Sequence, residues 1–91
     1  MKTYLVSYDL IRPESSPEYT RLINLIKTAA SWAKPLQSVW LIKSPLGAME
    51  ILNKLRSEVD ANDKVIVIEV TNDWASFNLP KEIADWMRAN I

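Results

Sequence analysis

The chain has no cysteine and no histidine, and its only glycine is Gly47. Without cysteine there is no disulfide framework and no thiolate metal site. Without histidine the usual general base near neutral pH is missing, together with the commonest transition-metal ligand. Zinc hydrolysis, a serine–histidine triad and cysteine-protease chemistry each lack a necessary part. A lone glycine leaves no phosphate-cradling loop. No apolar run approaches the roughly 18 residues of a transmembrane helix. The opening Met1-Lys2-Thr3-Tyr4 leads straight into a strand pattern instead of a signal-peptide layout. A cytoplasmic protein without membrane contact is expected. Neither sign of charge predominates, because eleven basic residues balance eleven acidic ones. That balance opposes strong non-specific binding to nucleic acid and leaves room for a local patch. The metal chemistry still open is a hard cation such as Mg²⁺, held by carboxylates.

What is present fits one domain spanning residues 1–91. Hydrophobic residues make up 48% of it, four of them tryptophan. A core of this size is thin, and small domains often complete their burial by association.

Residues 2–10 alternate as a strand. Tyr4, Val6, Tyr8 and Leu10 share one face; Thr3, Leu5, Ser7 and Asp9 share the other. After the polar loop 11–16, Ser16 can cap a helix with Pro17 at its first position and Glu18 in its first turn. Tyr19, Leu22, Ile23, Ile26, Ala29, Ala30 and Ala33 form a stripe that carries this helix to about Trp32, and Pro35 blocks its extension. Residues 36–43 are β-prone, as one strand or as two bent at Gln37-Ser38. Ser44 and Pro45 open a second helix whose buried stripe is read as Met49, Leu52, Leu55 and Val59. Asp60-Ala61-Asn62-Asp63 is a turn. Lys64–Val70 is a strand, and its unbroken Val65-Ile66-Val67-Ile68 run predicts cover on both faces. A loop or short edge strand follows, and Pro80 starts a last helix with Ile83, Trp86 and Met87 on one side.

The order β-α-β(β)-α-β-α allows a small parallel sheet or, with a hairpin at Gln37-Ser38, the split βαβ pattern. The second is preferred, since an antiparallel sheet needs helices on one face only. The fold expected is therefore α+β and ferredoxin-like, with an extra C-terminal helix.

At Tyr8-Asp9-Leu10 and Gln37-Ser38-Val39-Trp40 the chain resembles the CRISPR-associated Cas2 proteins and their relatives, the VapD toxins of toxin–antitoxin systems. In those families an apolar first strand ends in aspartate. The segment after the first helix carries a motif close to Gln-x-Ser-Val-Phe. Here Gln37 abuts Ser38, one residue shorter, and Trp40 replaces the phenylalanine. The likeness covers most of residues 1–70 and not the tail.

The resemblance implies a ferredoxin-like protomer and a twofold homodimer. In the nuclease members it also implies that Asp9 is the catalytic metal ligand, meeting its symmetry mate around Mg²⁺. The physics is coherent: one carboxylate is too few ligands, a twofold axis doubles it, and a cation relieves the repulsion between the two. Bound metal then activates water against an RNA or DNA phosphodiester.

Each site residue also has a plainer reading. Asp9 can instead accept backbone hydrogen bonds from the following loop. Ser38 can position a phosphate or simply begin a strand. Arg12 can touch a phosphate or be a solvated loop arginine. Lys27, Lys34 and Lys43 can share an edge or stand apart. The tryptophans admit base stacking, but interleaved with apolar residues they read as core or interface, with Trp74 and Trp86 the interface candidates. Asp60, Asp63 and Asp73 read as turn residues. Two functions follow: a metal-dependent endonuclease, or a non-catalytic dimeric scaffold with a protein partner.

Overall fold

The structure is a computed structural model describing residues 1–13 and 15–91. Glu14, assigned above to the polar loop, lies outside the described residues. The elements run β1 (Lys2–Asp9), α1 (Pro17–Ile26), β2 (Ser31–Leu36), β3 (Val39–Ser44), α2 (Ala48–Leu55), β4 (Lys64–Val70) and α3 (Lys81–Asn90). Arg56–Glu58 adds a single 3₁₀ turn after α2. The strands form one sheet in the order β2-β3-β1-β4, each neighbour antiparallel. This is the ferredoxin-like arrangement expected from the hairpin reading.

One face of the sheet carries the core. Tyr4, Val6 and Tyr8 of β1 and Trp40 and Ile42 of β3 pack against Tyr19, Leu22 and Ile26 of α1 and Ile51 and Leu55 of α2. Trp40, Leu22 and Val6 are completely enclosed. Burying side chains of this size contributes about 1.5–3 kcal/mol each. Trp40 Nε1 donates to Tyr8 Oη at 3.0 Å inside the core, which removes the cost of an unpaired indole N–H. Tyr8 also meets Tyr19 edge to face, with ring centroids 5.5 Å apart.

The start of α1 follows its sequence signals. Ser16 Oγ accepts the Tyr19 amide at 3.3 Å, and Pro17 occupies the first turn. Its end does not. The helix stops at Ile26 instead of near Trp32, and β2 begins at Ser31. The Ala30 amide already bonds the Lys43 carbonyl, and Trp32 pairs with Ile42. Strand pairing thus overrides the helix propensity of the alanines. Ala33, placed above on the helix stripe, is a buried strand residue. Pro35, read as a helix stop, is accommodated because β2 is an edge strand with a register shift between Ala33 and Leu36.

The second helix is also displaced. Ser44 Oγ accepts the Leu46 amide, but α2 starts only at Ala48, where Glu50 reaches back to the Gly47 amide at 3.1 Å. The later start moves its buried residues to Ile51 and Leu55 and leaves Met49 exposed.

The opposite face holds the third helix. Thr3 Oγ1 donates to the Asn90 carbonyl, Trp86 Nε1 donates to Ser31 Oγ at 2.8 Å, and Met87 is buried. The tail therefore folds back over β2, β3 and part of β1. It leaves β4 uncovered: Ile66 and Ile68 are 51% and 48% exposed. The expectation that this strand is buried on both faces fails because it lies at a sheet edge that α3 does not reach.

Candidate functional site

Register decides which residues share the uncovered face. Asp9 lies opposite Lys64, Ser7 opposite Ile66, and Leu5 opposite Ile68. Directly opposed residues in an antiparallel pair project to the same side. Asp9, Ser7 and Leu5 thus share the open face with Lys64, Ile66 and Ile68. A shallow depression of 240 Å³ sits at its end, lined by Ser7, Tyr8, Asp9, Lys64, Val65 and Ile66.

The Asp9 carboxylate is exposed and has no hydrogen-bond or ion-pair partner among the described residues. The loop-capping role that sequence allows it is filled by Asp63. Asp63 Oδ1 accepts the Ile11 amide at 2.9 Å, and Oδ2 accepts the Asp60 amide at 2.8 Å. Asp63 is thus the turn residue it was read to be.

Ser38 belongs to the two-residue turn between β2 and β3, at the same end of the sheet as Asp9. Its carbonyl accepts the Ser7 hydroxyl at 3.0 Å. Ser38 thus meets Ser7, the neighbour of Asp9 on the same face of β1, and no side-chain hydrogen bond joins it to Asp9 itself. Arg12 is otherwise engaged. Its guanidinium pairs with Asp60 and, at 3.6 Å, with Glu18. This fastens the loop after β1 to the start of α1 and to the turn before β4.

No group of three or more acidic side chains that could hold a metal occurs among the described residues. Among the described residues, β1 and β4 bring one carboxylate, Asp9, to the depression at this end of the face, and Mg²⁺ needs further ligands. Lys64, Ile66 and Ile68 were not singled out from sequence. In sequence, Val65 to Ile68 is one unbroken apolar run, and which of its residues face the side of Asp9 depends on a register that only the folded sheet supplies.

Trp74 lines the second feature of this side, a 560 Å³ apolar groove between the tail and the sheet. Trp74 and Trp86 are half-buried against their own chain. None of the described helices is long and apolar enough to cross a membrane.

No family model matches the chain, and no curated protein matches it. It is similar in structure to the hypothetical protein TT1823 from Thermus thermophilus. The TM-score is 0.68, with 18% sequence identity over 87% of this chain and 94% of that one. At this identity the likeness extends to the fold, and it agrees with the ferredoxin-like α+β arrangement described above.

Proposed function

We propose that two copies of this chain associate through the open sheet face into the twofold dimer that the resemblance to the Cas2 and VapD families implies. In this reading the two Asp9 carboxylates meet at the twofold axis, hold a divalent cation and direct it at an RNA or DNA phosphodiester. The observation that carries it is the state of Asp9: an exposed carboxylate without a partner among the described residues, on the same face as the half-exposed Ile66 and Ile68. An apolar strip on a small domain favours association. An isologous contact centred near the end of β1 doubles whatever acidic group stands there.

The residues present fit Mg²⁺ only as such a pair. Mg²⁺ keeps several waters and accepts one or two carboxylates, so two Asp9 side chains suffice without a further protein ligand. When bound, the cation would supply an activated water and charge neutralisation at the phosphate. The chain's own contribution is to hold Asp9 on a strand end fixed by seven cross-strand partners in β4 and to leave its oxygens uncommitted. Arg12 has no part in this step, since it is neutralised by Asp60 and Glu18.

That commitment of Arg12 favours a second reading, in which the same dimer is a non-catalytic scaffold for a protein partner. Nuclease assays separate the two. Wild-type protein with Mg²⁺ is expected to cleave RNA or DNA, and Asp9→Asn is expected to abolish cleavage while remaining dimeric. Cleavage unchanged by Asp9→Asn removes the catalytic reading. A dimer inert toward both polymers supports the scaffold.

A further inference from the structure

The charge balance of the whole chain conceals a local imbalance. Residues 19–49 contain no aspartate or glutamate, yet they include Arg21, Lys27, Lys34 and Lys43. This stretch forms most of α1, all of β2 and β3, and hence the β2 edge of the sheet. Arg21 is paired with Glu58, and Lys43 reaches Asn90. Lys27 and Lys34 have no carboxylate partner among the described residues. Their ammonium groups lie instead over indole rings. Lys27 Nζ is 5.1 Å from the Trp32 ring centre and 5.9 Å from that of Trp40, and Lys34 Nζ is 5.2 Å from Trp40. The two indoles are themselves 5.4 Å apart. Trp40 is enclosed, but Trp32 is 38% exposed on the outermost strand.

Both ammonium groups lie close to the Trp40 ring, 5.9 and 5.2 Å from its centre, and no carboxylate of the described residues pairs with either, so an approaching anion meets positive charge there. An exposed indole adds a flat π surface. Lysines that can follow phosphates, beside an aromatic ring that can take a base, are the components of a single-strand contact. The position of Lys27 over Trp32 is no obstacle. A surface cation–π contact is weaker than base–aromatic stacking, so a flexible exposed lysine can yield its place to a base and move to the phosphate. A duplex keeps its bases stacked inward and cannot use the ring.

We infer that the β2 edge is a contact surface for single-stranded nucleic acid, with Lys27 and Lys34 meeting the backbone and Trp32 meeting a base. This surface lies on the side of the sheet that carries α1 and α2, opposite the face of Asp9. It does not depend on the Asp9 reading, although both concern the same class of polymer.

Fluorescence anisotropy with a labelled single-stranded oligonucleotide of about twelve nucleotides tests it, alongside the protein's own tryptophan emission. Wild-type protein is expected to bind at 50 mM salt with quenched emission. Lys27→Gln combined with Lys34→Gln is expected to weaken binding about tenfold and to flatten the log–log salt slope by about 1.4. Trp32→Leu is expected to weaken binding by about tenfold and to abolish the quench. Circular dichroism checks that each variant is folded. A duplex of the same sequence and polyglutamate are expected to bind more weakly than the single strand. Binding is measured in EDTA, where the Asp9 site holds no divalent cation, and is expected to persist there, so failure of the Asp9 reading leaves this result standing. Undiminished binding by the double lysine variant or by Trp32→Leu overturns the inference. So does polyglutamate binding equal to that of the oligonucleotide, or no binding by wild type at 50 mM salt.

Discussion

The Ile11 amide donates to Asp63 Oδ1 at 2.9 Å, so the loop after β1 is tied to the turn before β4 by Asp63 and not by Asp9. The second oxygen of Asp63 is also committed, to the Asp60 amide. Asp63→Ala removes both acceptors and is expected to destabilise the fold by about 1–2 kcal/mol. Asp9→Asn removes no hydrogen bond or ion pair among the described residues and is expected to change stability by less than about 0.5 kcal/mol. Urea denaturation of the two variants measures the contrast. A larger loss for Asp9→Asn than for Asp63→Ala contradicts the division of roles.

The hydrogen bond from Trp40 Nε1 to Tyr8 Oη is buried. Tyr8→Phe leaves that indole N–H without its acceptor and is expected to cost about 1–3 kcal/mol. For a domain of this size each kcal/mol lowers Tm by roughly 4–8 °C. Calorimetry on wild type and Tyr8→Phe tests this. An unchanged Tm means that the N–H finds another acceptor.

The parts of the fold readable in the sequence are those fixed by local chemistry. Strand alternation separates Tyr4, Val6 and Tyr8 from Asp9, and the fold makes the face of the first three the core. Ser16 and Pro17 marked the start of α1, and Gln37-Ser38 marked the hairpin. The misread parts are those decided at long range. Ala29 and Ala30 look helical, yet the pairing of Trp32 with Ile42 claims the chain for β2. The stripe on α2 was misassigned because Ser44 and Pro45 suggested a start that Gly47 and Glu50 take instead. The free state of Asp9 was not readable either, because it depends on Asp63, more than fifty residues away, taking the capping role.

The tail rests on few anchors. Trp86→Phe keeps the apolar ring and removes the N–H that reaches Ser31 Oγ at 2.8 Å. The expected global cost is about 0.5–1.5 kcal/mol. Hydrogen exchange is expected to quicken in α3 and to stay slow in β1, because α3 packs on the sheet without pairing to it. Equal acceleration in β1 contradicts this picture of a separately anchored helix.

Ile68→Glu places a charge on the open face near the centre of the β1–β4 ladder. A half-exposed side chain is expected to tolerate the change with less than about 1 kcal/mol lost in the protomer. Burying that charge at a twofold contact is unfavourable, so the variant is expected to sediment as a monomer where wild type sediments as a dimer. A dimer unaffected by Ile68→Glu locates the interface elsewhere.

The doubling of Asp9 can be measured without reference to activity, because the chain has no native cysteine. Asp9→Cys, treated with a short bis-maleimide, reports whether the two strand ends meet, and Thr20→Cys on the exposed side of α1 serves as the distant control. Asp9→Cys is expected to be converted to a covalent dimer and Thr20→Cys is not. A folded Asp9→Cys protein that stays monomeric under the reagent, or that crosslinks no better than Thr20→Cys, contradicts the doubling of Asp9.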